Sequence, residues 1–242
     1  ESFKQSLKIV LLYFCLTIFI FLTLNLINIR TFDSLNLSMT LISSGGFMPF
    51  NNLDLLLNNN LKIITFSFLM LISFFSLFLT YNLIFFRKKN INFLAEDLYL
   101  LVYLLFIILI FFIFFNYDNN FSLILFSISS SISNIGLSSN KIPDNLSIFF
   151  LIMVIVGGSY FSTSSGIRFV KIFALIKFSF NEILSYTRPN YIFANKFKFF
   201  NTNIELRDVH KYFLALILFL ISLFILIFLL TLTNINFEEA FK

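Results

Sequence analysis

Five stretches of this chain are apolar over about the twenty residues that carry a helix across a bilayer: Leu7–Ile29, Ile63–Phe86, Leu98–Phe115, Leu146–Ile176 and Tyr212–Leu232. That pattern narrows the choice of fold more than any other. In hydrocarbon each backbone N–H and C=O needs a protein partner, and single runs of this length satisfy that need as helices. Composition agrees: 59% of the 242 residues are hydrophobic and 12% are charged, against about 25% charged in a soluble domain. The expected class is an all-α, multi-pass integral membrane protein.

The net charge of +5 comes from residues at segment ends and in short connections, so it does not mark a nucleic-acid surface. Cys15 is the single cysteine, which excludes a disulfide framework and a cysteine metal cluster. Inside its apolar run it reads as a small buried hydrophobe. The chain opens at Glu1 without a signal-peptide pattern and stops just after an apolar helix, so both ends read as cuts within something longer.

Lysine and arginine placement sets the expected orientation. Lys4 and Lys8 precede the first segment, and Arg87, Lys88 and Lys89 separate the second from the third. Lys177, Arg188, Lys196, Lys198, Arg207 and Lys211 fill the connection from fourth to fifth, while the opposite side holds Arg30, Lys62 and Lys141, with Lys242 at the chain end. The N-terminus is therefore expected inside. The connections around Thr31–Asn60 and Asn116–Asn145 are expected outside.

Those two outer connections share one plan. A Ser/Thr-dotted apolar stretch comes first, Phe32–Ile42 and Phe121–Ile132. Then comes Ser43-Ser44-Gly45-Gly46-Phe47 in one and Ser133-Asn134-Ile135-Gly136-Leu137 in the other, ninety positions later. An Asn/Asp/Pro-rich climb to the next segment follows in both. One such loop could be a simple turn; two in register on one side describe a repeated unit.

A stretch of about eleven apolar residues is too short to cross a bilayer but long enough to dip into it as a half-helix. Irregular backbone at that depth is tolerated where it lines a water-filled cavity or is buried in protein. The half-helix presents its negative dipole end inward, and the backbone after it offers carbonyl oxygens to a dehydrated cation. Gly46 and Gly136 keep side chains out of that path.

The fourth segment carries a polar interruption, GGSYFSTSSG, from Gly157 to Gly166, with Arg168 and Lys171 just beyond. Alone, it reads equally as small residues packing closely against a neighbouring helix. Here the chain resembles a family. The helix, half-helix, glycine, helix unit with S-x-G-G-F is similar to the Trk/Ktr/HKT superfamily of potassium transporters. The fourth segment is similar to that family's G-G-x-x-G-S-T-x-G-G-I-K-x-x-R signature.

The resemblance implies a four-repeat pore in which Leu7–Phe86 matches repeat two, Leu98–Ile176 repeat three and Tyr212–Leu232 the first helix of repeat four. Phe237–Phe241 would begin the last half-helix. The implied organisation is a pore repeat over 1–90, one with the broken gating helix over 91–178, a cytoplasmic connector over 179–210 and the next repeat from 211 to 242. The filter would comprise Ser43, Ser44, Gly45, Gly46, Phe47, Ser133, Asn134, Ile135, Gly136 and Leu137. A gating loop beneath it would comprise Gly157, Gly158, Ser159, Ser162, Thr163, Ser164, Ser165 and Gly166. K⁺, or else Na⁺, would be cargo, and no resident cofactor or metal is implied. A homodimer in the plasma (inner) membrane with a cytosolic nucleotide-binding regulatory subunit is also implied.

The chain departs from the family pattern at Phe161 and Ser165, where glycine is usual, at Arg168 for Lys and Lys171 for Arg, and at Asn134-Ile135, where Thr is common. A bulky Phe161 would stiffen the loop or narrow the passage. Arg168 and Lys171 read equally as pore-mouth charges and as interfacial anchors. His210 beside Asp208 and Lys211 reads as an interfacial side chain, and Asp33, Asp54, Asp118 and Asp144 as solvated loop charges or helix caps. The stretch Phe178–Asp208 reads as a solvated connector. Rival functions are a secondary transporter with a midplane site at the broken helix and a non-conducting scaffold. An intramembrane serine hydrolase lacks its base, since none of the five segments contains a His or an acid.

Overall fold

The computed structural model describes residues 2–48, 56–77, 91–114, 121–137, 147–186, 197–199, 202–204 and 206–233. Asp54, Arg87, Lys88, Lys89, Asp118, Lys141, Asp144, Arg188, Pro189, Lys196, Phe237–Phe241 and Lys242 lie outside them. The protein is an all-α membrane protein with one small hairpin among its described residues. It divides into two compact units, Glu1–Gly166 and Ile167–Lys242.

In the first unit, α1 (Ser2–Leu26) is followed by the short α2 (Thr31–Ser43). Asn28 adopts the left-handed region at φ 60°, and Ser34 Oγ donates to Asn25 Oδ1 at 2.7 Å. This turn folds α2 back on α1. Then come α3 (Asn60–Phe74), α4 (Ile91–Phe114), α5 (Phe121–Ser133) and α6 (Ser147–Val156). The core joins Ile20 and Leu24 of α1, Leu37 and Leu41 of α2, Phe66 and Met70 of α3, and Phe126 of α5, all buried. Phe66 and Phe126 stack with centroids 6.1 Å apart. Phe111 of α4 packs on Phe149 and Phe150 of α6 at 4.8 and 5.7 Å. Lipid is as apolar as these side chains, so close packing rather than escape from solvent holds the helices together.

Among the described residues, three helical stretches are long and apolar enough to cross a membrane: Ser6–Leu26, Ala95–Phe112 and Arg207–Leu232. The second expected span, Ile63–Phe86, is not one helix. It breaks after Phe74, where Phe75 is extended at φ −76°, ψ 162°, and residues 78–86 lie outside the described set. The third begins before Leu98 and takes Glu96 and Asp97 into the apolar helix. Contrary to expectation, this apolar helix therefore carries two acids. Cys15 is exposed on α1 rather than buried.

In the second unit, α7 (Phe169–Ser185) runs past the expected end at Ile176. Strands β1 (Phe197–Phe199) and β2 (Thr202–Ile204) pair antiparallel within the stretch read as a connector. α8 (Leu206–Leu232) packs on α7 through Val209 and Ala174. Exposed Phe213, Phe224 and Phe228 leave α8 with an apolar outer surface suited to lipid. His210 is exposed, beside an Asp208–Lys211 ion pair of 3.1 Å.

Candidate functional site: two congruent loops and a docked polar loop

Both half-helices end in the same way. After α2, Ser44 is left-handed at φ 52° and ψ 37°, with its N–H on the carbonyl of Thr40. The Gly45 N–H reaches the same carbonyl at 3.1 Å. After α5, Asn134 is left-handed at φ 57°, and the Ile135 N–H bonds the Ser130 carbonyl at 3.2 Å. Helices commonly finish on a left-handed residue whose following amides fill the last free carbonyls. Two residues on, Gly46 and Gly136 sit at φ 69° and 77°, where a side chain is disfavoured.

A hydroxyl then straps each loop back to its helix. Thr40 Oγ1 donates to the Phe47 carbonyl at 2.8 Å, and Ser130 Oγ donates to the Leu137 carbonyl at 2.6 Å. These residues are also ninety positions apart. The register that exposed the glycines would have revealed the straps, but hydroxyls inside a serine-rich helix attracted no notice. Other hydroxyls of α5 bond their own helix, as in Ser129 to the Phe126 carbonyl at 2.9 Å and Ser133 to the Ser129 carbonyl at 2.6 Å, while Ser122 reaches Asn60 Oδ1 of α3 at 3.3 Å.

The two loops approach each other. A Cβ added to Gly46 would stand 2.5 Å from the Ile135 carbonyl oxygen, whereas one at Gly136 would meet nothing within 4 Å. Ser43, Gly45 and Phe47 are exposed, while Ser133, Ile135 and Leu137 are buried. Asp33, read as a solvated charge or cap, is 2% exposed in the first turn of α2. A carboxylate there faces the positive end of the helix dipole.

The polar interruption forms a folded loop rather than a helix. α6 makes its last helical bond from the Gly157 N–H to the Met153 carbonyl, 3.2 Å. A Cβ on Gly166 would lie 2.9 Å from the Gly157 Cα, so the two ends of the loop meet at a narrow neck. Inside, Ser164 Oγ accepts from the Gly158 N–H at 2.9 Å. Ser162 Oγ donates to the Ser159 carbonyl at 2.8 Å. Ser159, Ser162 and Ser164 are buried, whereas Ser165 is exposed. Phe161 is 39% exposed and meets Tyr160 edge-on at 4.9 Å, so its ring is not packed inside the loop.

The loop is bonded to the break at the end of α3, which sequence reasoning missed. Ser159 N–H donates to the Phe74 carbonyl at 3.1 Å, Ser164 N–H to the Ser73 carbonyl at 3.2 Å, and Leu77 N–H to the Phe161 carbonyl at 3.1 Å. Thr163 Oγ1 adds a bond to the Ser73 carbonyl at 3.3 Å. Two helices are thus interrupted at one place, and the groups freed by each interruption bond the other. Ser73 and Ser76 inside an otherwise apolar run were the available hint. Asn134 ties the loop after α5 to the residues just before the neck: its Nδ2 donates to the Val154 carbonyl at 3.1 Å.

Arg168 and Lys171 belong to the second unit, at the start of α7. Arg168 adopts φ 84°, and its carbonyl accepts from the Lys171 N–H at 3.0 Å, opening that helix.

No protein-family model matches the chain, and no curated protein matches it by sequence. Among solved structures it superposes on the crystal structure of the potassium transporter TrkH from Vibrio parahaemolyticus with a TM-score of 0.83. The fold is shared. At 18% identity the match covers 98% of this chain and 53% of the TrkH chain, so the chain spans about half the length of that transporter.

Proposed function

We propose that this chain forms part of a conduction path for a monovalent cation, with K⁺ favoured over Na⁺. The carrying observation is the pair of congruent loops, each a half-helix, a left-handed cap and a positive-φ glycine, brought together at Gly46 and Ile135. The shared fold with a potassium transporter supports the choice of ion. The residues Ser43–Phe47 and Ser133–Leu137 supply backbone carbonyls to the ion, and the ends of α2 and α5 add negative dipole ends. Several weak carbonyl sites suit conduction better than a carboxylate cage, because each must replace hydration yet release its ion.

In this reading the loop Gly157–Gly166 obstructs the path below the filter and takes part in gating, and Arg168 and Lys171 sit at the inner mouth. The protein works as a homodimer in the plasma (inner) membrane, N-terminus cytoplasmic by the positive-inside bias, under a cytosolic nucleotide-binding regulator.

Rb⁺ uptake in cells lacking other potassium uptake tests the reading. Gly136→Ser is expected to weaken K⁺ over Na⁺ discrimination, and Gly46→Ala to impair uptake. Wild-type uptake and ion preference in both variants at equal expression would remove the filter assignment.

A further inference from the structure

Two carboxylates of α4 grip the junction of the two broken helices. Glu96 Oε1 accepts the Tyr160 N–H at 2.6 Å, and Asp97 Oδ1 accepts the Ser76 N–H at 3.0 Å. They are 5% and 3% exposed. As consecutive residues of a helix their side chains diverge by about 100°, so one reaches the loop while the other reaches the α3 break. Those segments are already joined by the bonds of Ser159, Thr163, Ser164 and Leu77. α4 is thus the third member of one assembly.

Acids buried in a membrane segment are costly and call for a reason. A neutral Gln or Asn oxygen could accept the same amide hydrogens without the cost of burying charge. A charged acceptor, however, makes a bond roughly twice as strong as a neutral one. The second oxygen of Asp97 is buried without a hydrogen-bond partner. That wasted oxygen speaks against simple satisfaction of polar groups and for anchoring of one particular amide.

We infer that Glu96 and Asp97 are positioning residues for the intramembrane loop: Asp97 fixes the broken end of α3 as a platform, and Glu96 latches the loop onto it. The neck at Gly157 and Gly166 lets the loop move as a unit once Glu96 lets go. The positioning itself stands on the geometry; its consequence for ion flux rests on the conduction reading above.

The test uses the intact protein in proteoliposomes, with hydrogen–deuterium exchange and Rb⁺ flux read on the same samples. Glu96→Ala is expected to speed exchange of the 157–166 peptide about ten-fold, as loss of a charge-assisted bond implies. Rb⁺ flux should rise several-fold, with the Rb⁺ to Na⁺ ratio unchanged. Glu96→Gln keeps an acceptor in place but loses the charge, so its exchange should fall between wild type and Glu96→Ala. Unchanged exchange in Glu96→Ala overturns the inference, as does faster exchange spread over α1 and α5, which marks plain destabilisation. Faster local exchange with unaltered flux upholds the positioning role and counts against the loop as the obstruction. A wild-type protein that passes no Rb⁺ removes the conduction reading while exchange still decides the latch.

Discussion

The loops after α2 and α5 share one backbone but not one environment. Each has a left-handed residue, a glycine at positive φ and a hydroxyl strap. Around the second, α3 lies against α5: Phe126 stacks on Phe66, Ser129 points at Met70 Sδ at 3.6 Å, and Ile135 and Leu137 are 2% exposed. Around the first, the corresponding face of α2 is an open groove lined by Asn36, Met39, Thr40, Ser43, Phe47 and Met48, and Phe47 is 81% exposed. Local chemistry therefore writes the loop, and the neighbouring helix decides how firmly it is held.

Substitution at equivalent positions puts that difference to the test, with unfolding in mixed micelles as the measurement. The largest contrast is expected between Phe126→Ala and Asn36→Ala in the 242-residue chain. Removing the stacked ring leaves a cavity and should cost about 3–5 kcal/mol. Its counterpart in the open groove should cost below about 0.5 kcal/mol. Equal costs would show that the two faces are equally covered, and the comparison would fail.

The glycines come next, and here the open loop is the more sensitive one. Gly136→Ala meets only the left-handed backbone and should cost about 1–2 kcal/mol. Gly46→Ala adds a collision with the Ile135 carbonyl, worth about 1–3 kcal/mol more. A reversed order would mean that the two loops do not touch.

The straps should differ by less. Ser130→Ala leaves the Leu137 carbonyl unpaired in a buried place, for about 1–3 kcal/mol, whereas Thr40→Val acts beside the exposed groove and should cost about 0.5–1.5 kcal/mol. The smallest effect is expected at the caps. Ser44→Gly relieves a left-handed residue and removes a buried hydroxyl that has no partner, for a gain of about 1 kcal/mol. Asn134→Gly gains the same freedom but gives up the bond to Val154 and should be close to neutral.

Much of this could be read in advance because it is local. Apolar runs of about twenty residues announced membrane helices, since a single run of that length satisfies its own backbone in lipid as a helix. The ninety-residue register announced the half-helices, which end at Ser43 and Ser133, because a left-handed cap and a positive-φ glycine leave their mark on residue type. Cys15 and Asp33 were misjudged for the opposite reason, as a helix in lipid has no polar face to show which way a side chain turns. Glu96 and Asp97 were misassigned because hydropathy places acids outside a span unless a partner is known.

What the chain determined by itself was therefore the menu of elements: greasy helices, two short half-helices with matching loops, and one segment too polar to continue as a helix. What only the tertiary structure decided was how the interruptions are used. The break after Phe74, the loop Gly157–Gly166 and the acids of α4 lie 19 or more positions from one another in the sequence, and no local pattern connects them. Each leaves backbone groups that lipid cannot satisfy, and only folding reveals that those groups satisfy one another.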